Sequence, residues 1–232
     1  MTEFTYDAYR AFLDGLLDRG YDFGGFDAPV PDRTVVLRHD VDWSPERARR
    51  MARIEADRGV RATYFLLVSA PLYNVRADRV RAALDEIEAL GHSVGVHFST
   101  HEYWGTDPGS AAVAERVREE QQVLGTVVDD VADAVSFHVP PDWVLGVDYD
   151  GFTNAYAPQF FEEVAYTADS NQRWREDPAF DGIPPDRVQV LVHPGLWGET
   201  DAGFGDRLDA ERDRRFDAVR DYLDDQYGSV LQ

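Results

Sequence analysis

The sequence contains no cysteine and no lysine. The lack of cysteine excludes disulfides, thiolate metal sites and thiol nucleophiles, so this chain carries no mark of a redox compartment. The lack of lysine leaves arginine as the source of all 23 basic side chains, against 44 acidic ones, and the formal net charge is −21. Nucleic acid and anionic membrane surfaces are therefore poor partners for this protein.

An Asp-rich, lysine-free surface is typical of proteins that live in molar salt, where a Debye length of about 3 Å screens repulsion between like charges. The acidic residues are spread along the whole chain. This distribution argues against the alternative, a local docking patch for a basic partner. We interpret the charge as an adaptation to a halophilic habitat and not as a functional feature.

Long apolar runs are also missing. No stretch approaches the ~20 apolar residues of a membrane span, and the N-terminal MTEFTYDAYRAFLDGLLDRG lacks the basic start of a signal peptide. These features predict a cytoplasmic protein. The chain does have 44% hydrophobic residues in a length of 232. That is enough for a sizeable core, and we expect residues 1–232 to form a single domain.

Predicted strands and helices alternate along the chain. Strands are expected at 34–39, 62–68, 93–97, 134–138, 165–168 and 188–192, and helices at 5–19, 45–58, 78–90, 110–124, 158–163 and 206–226. Apolar strands in this α/β order indicate a parallel sheet covered by helices. No glycine-rich phosphate loop follows the first strand, so an incomplete (β/α) barrel is favoured over an open doubly wound sheet. Residues 139–154, rich in Pro, Asp, Gly and aromatics, are expected to form a loop that walls a pocket.

Two aspartates, Asp40 and Asp42, follow the first of these strands and directly precede a helix start at Ser44-Pro45. The carboxyl ends of parallel strands share one face of the fold, where ligand and catalytic side chains collect. One carboxylate could bind a cation while the other accepts a proton. With 30 Asp in 232 residues, such a pair is weak evidence by itself.

The histidines strengthen this interpretation, because all six lie in or beside predicted strands. His97 and His101 have the i, i+4 spacing that lets two imidazoles meet one ion if residues 97–101 turn helically. With Asp42 they would form a divalent metal site that keeps a position open for water. The donors suit zinc, and iron, cobalt, nickel or manganese are not excluded. Taken singly, His97 could instead be a satisfied core residue and His101 an exposed loop residue.

Two further histidines are expected at the same face. His193 ends a strand, and a histidine near neutral pH can donate a proton to a leaving amine. Its alternative is a structural role. His138 is predicted to contact substrate or brace the site, and His39 and His92 are predicted to be structural.

Six segments resemble, in order, the successive motifs of the polysaccharide deacetylase-like superfamily: HDVDWSPERA, ATYFLL, GHSVGVHFSTH, SFHVP, TADSNQRWRED and LVHPGLW. The resemblance covers residues 34–198. It implies a distorted, incomplete (β/α) barrel of about six to seven parallel strands holding one divalent metal ion. It further implies Asp40 as catalytic base, His193 as catalytic acid, and a ligand set of Asp42, His97 and His101.

The sequence departs from the family pattern at two places. Asp-Val-Asp replaces an adjacent Asp pair, so the roles of base and ligand could be exchanged. Val139 follows His138 where the family has an arginine that steadies the base. Arg38, Arg173 or Arg175 could substitute for that arginine.

The predicted activity is metal-dependent hydrolysis of a non-peptide carbon–nitrogen bond, with N-deacetylation of an acetamido sugar as the leading case. A nucleotide-linked or lipid-linked precursor of a surface glycan is favoured over an extracellular polymer. The expected substrate-binding residues are His138, Asp169, Arg173, Trp174 and Trp197, with Tyr103 and Trp104 as further stacking candidates. The alternatives are a catalytically inactive glycan-binding domain of the same fold and, less favoured, a phosphoesterase.

Overall fold

The computed structural model describes residues 2–27, 29–180 and 182–228. The strands of the described part are β1 (Asp22–Gly24), β2 (Thr34–Val41), β3 (Thr63–Leu66), β4 (Ser93–Phe98), β5 (Val131–Phe137), β6 (Thr153–Asn154), β7 (Ala165–Ala168) and β8 (Arg187–Val192). Its α-helices are α1 (Tyr6–Leu17), α2 (Pro45–Ala56), α3 (Asp78–Ala89), α4 (Ser110–Leu124), α5 (Pro158–Phe161) and α6 (Phe204–Tyr227).

All strand pairs in the sheet are parallel. The strand order is β6-β5-β4-β3-β2-β8-β7, and β1 pairs with β2 beside this path. The sheet curls into a half-barrel. The half-barrel is open because the end strands β6 and β7 do not pair across the described residues. This confirms the predicted incomplete (β/α) barrel.

Two short strands lie in segments that the sequence predicted to be loops. β1 has three residues and β6 has two. Segments this short carry too little periodicity to distinguish a strand from a loop, and only pairing with β2 and β5 makes them strands. The remaining predicted strands and helices are present, with shifts of a few residues at their ends.

Strand β2 is buried along its whole length because both of its faces are covered. Arg38 and Asp40 face the inside of the half-barrel, where they meet residues of β5 and β8. His39 faces the helices, and its Nε2 lies 2.7 Å from the Glu55 carboxylate of α2. The alternation of side chains along a strand therefore separates Asp40, at the site, from His39, in the structural layer.

Strand β4 approaches β5 closely at Gly95, where an added Cβ would lie 2.8 Å from the carbonyl oxygen of Ala134. The register between the two strands shifts between Val94 and Val96. Beyond the shift, His97 is paired with Ser136. The irregularity thus sets which residues face each other at the carboxyl ends of these strands.

Helix α6 packs on the rest of the chain mainly through its first half, where Arg207 and Glu211 are buried. Its apolar residues, whose spacing is typical of a buried helix face, are instead exposed at Leu208, Phe216, Val219 and Leu223. In the described part of the chain, no helix combines the length and apolar character needed to cross a bilayer.

Candidate active site

Three side chains from neighbouring strand ends converge on one point. Oδ1 of Asp42, just after β2, lies 3.2 Å from Nε2 of His97 and 3.2 Å from Nδ1 of His138. The two imidazole nitrogens are also 3.2 Å apart. One oxygen and two nitrogens in this arrangement match a divalent metal site with a position left open for water.

The donors themselves favour a cation at their centre. His97 donates Nδ1–H to the Ser136 carbonyl at 3.1 Å, so in the neutral ring Nε2 presents a lone pair to Asp42. Within the described residues, the buried Oδ1 of Asp42 has no hydrogen-bond partner. Burial alone would raise the pKa of Asp42, but the adjacent imidazoles of His138 and His97 hold it well below its usual range. The residues therefore fit a divalent ion.

The same carboxylates act on His97. Burial lowers the pKa of His97, and the nearby charges of Asp40 and Asp42 outweigh burial, so its pKa is raised. The negative charges that favour a proton on His97 also favour a divalent cation, which competes with the proton for the lone pair on Nε2 of His97.

The structure brings His138 into this group and leaves His101 out of it. The i, i+4 geometry would require helix from 97 to 101, but His97 belongs to β4 and only Thr100–Glu102 forms a 3-10 turn. His101 is exposed, and its Nε2 lies 3.0 Å from the Val139 carbonyl. In the described structure His138, and not His101, lies with Asp42 and His97 in the group that could hold a metal, and His101 contacts Val139, the residue after His138.

That segment has an unusual backbone. Val139 has a φ of 43°, in the left-handed region that β-branched residues rarely adopt. This conformation directs the Val139 carbonyl to His101. The sequence offers no signal for it, because valine is among the least expected residues there.

Asp40 lies beside the group formed by Asp42, His97 and His138, and it is buried. Its Oδ2 accepts a hydrogen bond from Ser136 Oγ at 2.9 Å and lies 3.5 Å from Nη2 of Arg38. Its Oδ1 is buried and has no hydrogen-bond partner among the described residues. One oxygen is thus held in place while the other is free to accept a proton.

Arg38 is the arginine that reaches Asp40. It is fully buried, donates to Oε1 of Gln189 at 2.8 Å and to the Tyr156 hydroxyl at 2.6 Å, and lies over the Tyr156 ring at 4.4 Å. Burial lowers its pKa, but Asp40, Tyr156 and Tyr166 together outweigh burial and the pKa is raised, so Arg38 stays cationic. The two other arginines considered lie elsewhere: Arg173 is exposed, and Arg175 pairs with Asp201 at 2.7 Å.

His193 is oriented by Asp169, which follows β7. Asp169 accepts Nδ1–H of His193 at 2.6 Å, the His193 backbone N–H at 3.0 Å and Nε1–H of Trp197 at 2.7 Å. Burial lowers the pKa of His193, but the charge and hydrogen bond of Asp169, together with the charges of Asp42 and Asp40, outweigh burial and raise the pKa to about 9. Because Nδ1–H of His193 is donated to Asp169, Nε2 is the ring nitrogen that can carry a proton toward the cavity.

Other residues expected to bind substrate lie away from the cavity. Trp174 and Trp197 are 2% and 1% exposed, and their indoles donate to Thr167 and Asp169. Tyr103 and Trp104 pack on Phe98. Their aromatic character suggested sugar stacking, but their rings pack within the protein, and the indoles of Trp174 and Trp197 and the hydroxyl of Tyr103 have hydrogen-bond partners there.

The cavity over these groups has a volume of about 420 Å³. Its polar wall includes Asp40, Asp42, His97, His138 and His193. Its apolar wall includes Leu145, from the loop 139–154 that was expected to wall a pocket. Sequence reasoning did not assign the other apolar lining residues to the site, which include Trp43, Phe137, Tyr156, Phe161, Tyr166, Leu191 and Phe204. An added Cβ on Gly195 would lie 2.0 Å from Nε1 of Trp43, so glycine is needed for this indole to pack on the loop after His193. No arginine of the described chain lines the cavity.

No protein-family model matches this chain. No curated protein matches it in sequence.

Solved structures do resemble it. The chain is similar to a family 4 carbohydrate esterase from Streptomyces lividans in complex with acetate, with 19% identity and a TM-score of 0.42, over 69% of this chain and 78% of that chain. It is similar to the chitin deacetylase from the fungal pathogen Colletotrichum lindemuthianum, with 16% identity and a TM-score of 0.46, over 76% of this chain and 80% of that chain. It is also similar to a CE4 family pseudoenzyme from Bacillus anthracis, with 16% identity and a TM-score of 0.45, over 78% of this chain and 59% of that chain. Likenesses of this strength decide neither family nor activity, so a functional assignment depends on this chain's own residues.

Proposed function

We propose that this protein is a metal-dependent hydrolase of a non-peptide carbon–nitrogen bond that removes the acetyl group from an acetamido sugar. One observation carries the proposal. A group fitted for a divalent ion, Asp42, His97 and His138, shares one cavity with the free buried oxygen of Asp40 and with His193.

The proposed roles follow from where each group can hold or move a proton. A divalent ion held by Asp42, His97 and His138, with zinc the best fit to these donors, would polarise the amide carbonyl and make water more acidic. Oδ1 of Asp40 accepts a proton from water as the water oxygen bonds to the carbonyl carbon. Ser136 and Arg38 hold the other oxygen of Asp40, so the accepting atom is already aimed.

His193 supplies the proton for the second half of the reaction. The amide C–N bond breaks as Nε2–H of His193 protonates the departing nitrogen, which gives a free amine and acetate. The raised pKa of His193, about 9, keeps this proton in place at neutral pH. Asp169 fixes the ring so that the donor, and not Nδ1, faces the cavity.

The walls of the cavity favour an uncharged acylamino group. Aromatic and aliphatic side chains face the bound group, and no arginine among the described residues lines the cavity to meet a phosphate. The acetamido sugar therefore enters the cavity, and any phosphate or lipid of a glycan precursor stays outside it. Nucleic acid is not a substrate of a chain with a net charge of −21.

The test is release of acetate from N-acetylated sugars, including nucleotide-linked and lipid-linked ones, by zinc-loaded protein in molar salt. Asp42→Ala and chelation should each abolish release, and Asp40→Asn should abolish it while the metal stays bound. Release that survives both chelation and Asp42→Ala would refute the scheme. Sugar binding without turnover across zinc, cobalt, nickel and manganese would identify a glycan-binding domain instead.

A further inference from the structure

Two adjacent residues near His193 have a left-handed backbone. Asn171 has a φ of 55° and Gln172 has a φ of 59°, a region that residues other than glycine adopt at a cost in free energy. They follow closely after Asp169, the residue that orients His193. Such strain persists only where the surrounding structure compensates for it, and it is concentrated at functional sites.

The conformation of Gln172 has a structural explanation. Gln172 is buried, its side-chain amide donates to the Ala202 carbonyl at 2.9 Å, and its Oε1 accepts from Nε of Arg175 at 3.1 Å. Asn171 differs, because it is exposed and its side chain makes no hydrogen bond among the described residues. The contacts of Gln172 therefore hold this segment in place without using the Asn171 carboxamide.

The two residues between Asp169 and Gln172 line the catalytic cavity. Ser170 is half-buried and Asn171 is exposed. The other polar side chains of the lining are the acids and imidazoles of the proposed mechanism and two tyrosines whose rings lie against Arg38. Ser170 and Asn171 thus form the uncharged hydrogen-bonding part of the cavity wall that the proposed mechanism leaves without a role.

We propose that Asn171, together with Ser170, binds hydroxyl groups of the sugar ring and thereby selects a sugar amide over an apolar amide. This inference rests on the proposed function, in which Nε2 of His193 protonates the departing sugar nitrogen. Because Asp169 ties this segment to His193, Asn171 lies on the sugar side of the C–N bond and not on the acetyl side. A carboxamide offers two N–H donors and an oxygen acceptor, which match neighbouring hydroxyls.

The apolar part of the cavity makes such a contact important. Phe161, Leu191 and Phe204 belong to this wall and cannot replace the water that a sugar hydroxyl loses on entering the cavity. A hydroxyl that is removed from water without a new partner weakens binding. A carboxamide placed to meet that hydroxyl restores the hydrogen bond, and it is left unpaired when the substrate has no hydroxyl.

The first experiment compares two uncharged acetamides of the same ring size, methyl N-acetyl-β-glucosaminide and N-cyclohexylacetamide, of which the second has no hydroxyl. Asn171→Gly removes the carboxamide but suits the left-handed backbone, since glycine adopts it without steric cost. For acetate release by zinc-loaded protein, we expect Asn171→Gly to lower kcat/KM about 10–100-fold for the sugar and less than about twofold for N-cyclohexylacetamide. The Tm should not fall.

The matched control is Asn74→Gly. Asn74 is an exposed asparagine outside the cavity, and its Oδ1 accepts a hydrogen bond from the Arg76 backbone N–H at 3.0 Å. Its kcat/KM should stay at the wild-type value for both acetamides. If Asn171 served only to adopt the left-handed backbone, Asn171→Gly would behave like this control, because glycine fills that role at least as well.

The second experiment measures binding, so its result does not depend on turnover. Zinc-loaded Asp40→Asn is titrated calorimetrically with methyl N-acetyl-β-glucosaminide, with and without Asn171→Gly. We expect Asn171→Gly to weaken binding about 10-fold or more. The same weakening in a protein that releases no acetate would support the sugar contact and refute the deacetylase proposal.

Other results would overturn the inference. An unchanged kcat/KM for the sugar in Asn171→Gly would leave Asn171 with a backbone role alone, and the acetate released would still support the deacetylase proposal. An equal loss for both acetamides would mean that Asn171 acts on the catalytic groups and not on a hydroxyl. Sugar binding that Asn171→Gly leaves unchanged, or no sugar binding at all, would exclude the hydroxyl contact.

Discussion

Nε2 of His97 lies 3.2 Å from Nδ1 of His138, although 41 positions separate the two residues in the chain. The pairing of β4 with β5 creates this contact, because His97 is at the end of one strand and His138 directly follows the other. With Asp42 they present three donor atoms to one point. His101, only four residues from His97, contributes a contact to Val139 instead.

The first prediction distinguishes His138, proposed as a metal ligand, from His101, which contacts the backbone beside it. His138→Ala removes a donor atom and should abolish tight zinc binding. His101→Ala removes only the hydrogen bond to Val139, and we expect the 10–100-fold loss of affinity typical of outer-shell partners. Calorimetric zinc titration of both variants checks this. A larger loss in His101→Ala than in His138→Ala would contradict the assigned geometry.

The second prediction concerns Arg38. Tyr156→Phe removes the hydroxyl that accepts from Arg38 at 2.6 Å but leaves the cavity wall and the Gln189 contact. The guanidinium then holds Asp40 less firmly, so kcat should fall while KM for the sugar stays within a few-fold. Arg38→Lys keeps the charge but not the planar fork, and should lower kcat further. Unchanged kcat in both variants would show that Arg38 does not position the base.

The third prediction is a pH dependence. With its pKa raised to about 9, His193 carries its proton through the neutral range, and the rate should fall as pH rises through about 9. Asp169→Asn removes the largest of the charges that oppose the effect of burial on the His193 pKa, so this fall should move down toward the ordinary histidine pKa of about 6.5. The pH profile of kcat/KM measures the change. A fall at the same pH in both proteins would remove His193 from the role of acid.

The same ion pair affects stability. Because the folded pKa of His193 lies above its unfolded value, the stabilisation is complete below about pH 6.5 and is lost as pH rises through about 9. Asp169→Asn should lack this loss, which denaturant unfolding at pH 6 and pH 9 would reveal.

The fourth prediction concerns Glu120, a residue of α4 outside the proposed mechanism. Burial raises the pKa of Glu120 to about 7, despite a hydrogen bond from the Tyr103 hydroxyl. Between pH 4.5 and 7 the folded chain keeps a proton that the unfolded chain releases, so stability falls as pH rises. Glu120→Gln should gain stability relative to wild type by up to about 3 kcal/mol at pH 7 and little at pH 4.5. An equal difference at both pH values would contradict the raised pKa.

Much of the fold could be predicted from sequence because most strands and helices are specified by residues close together in the chain. The apolar run of β2 and the proline that begins α2 fix a strand-to-helix junction within a dozen residues. The short strands β1 and β6 could not be found in this way, because partners elsewhere in the chain define them.

The candidate site depends on longer-range geometry. The choice of His138 over His101 follows from a register shift between β4 and β5 and from a left-handed backbone at Val139, neither of which has a sequence signature. Trp197 was named as a candidate to stack on a sugar ring, with a core position as its alternative, and its indole N–H is donated to the buried Asp169. In α6 the predicted helix is present, and its apolar residues Leu208, Phe216, Val219 and Leu223 are exposed in the described chain.

The identity of the metal ligands is the central claim, and X-ray absorption at the zinc edge tests it most directly. In the zinc-loaded protein we expect two imidazoles and oxygen donors at about 2.0–2.1 Å from the zinc ion. One imidazole should remain in His138→Ala, and two should remain in His101→Ala. Loss of an imidazole in His101→Ala, with two retained in His138→Ala, would contradict it.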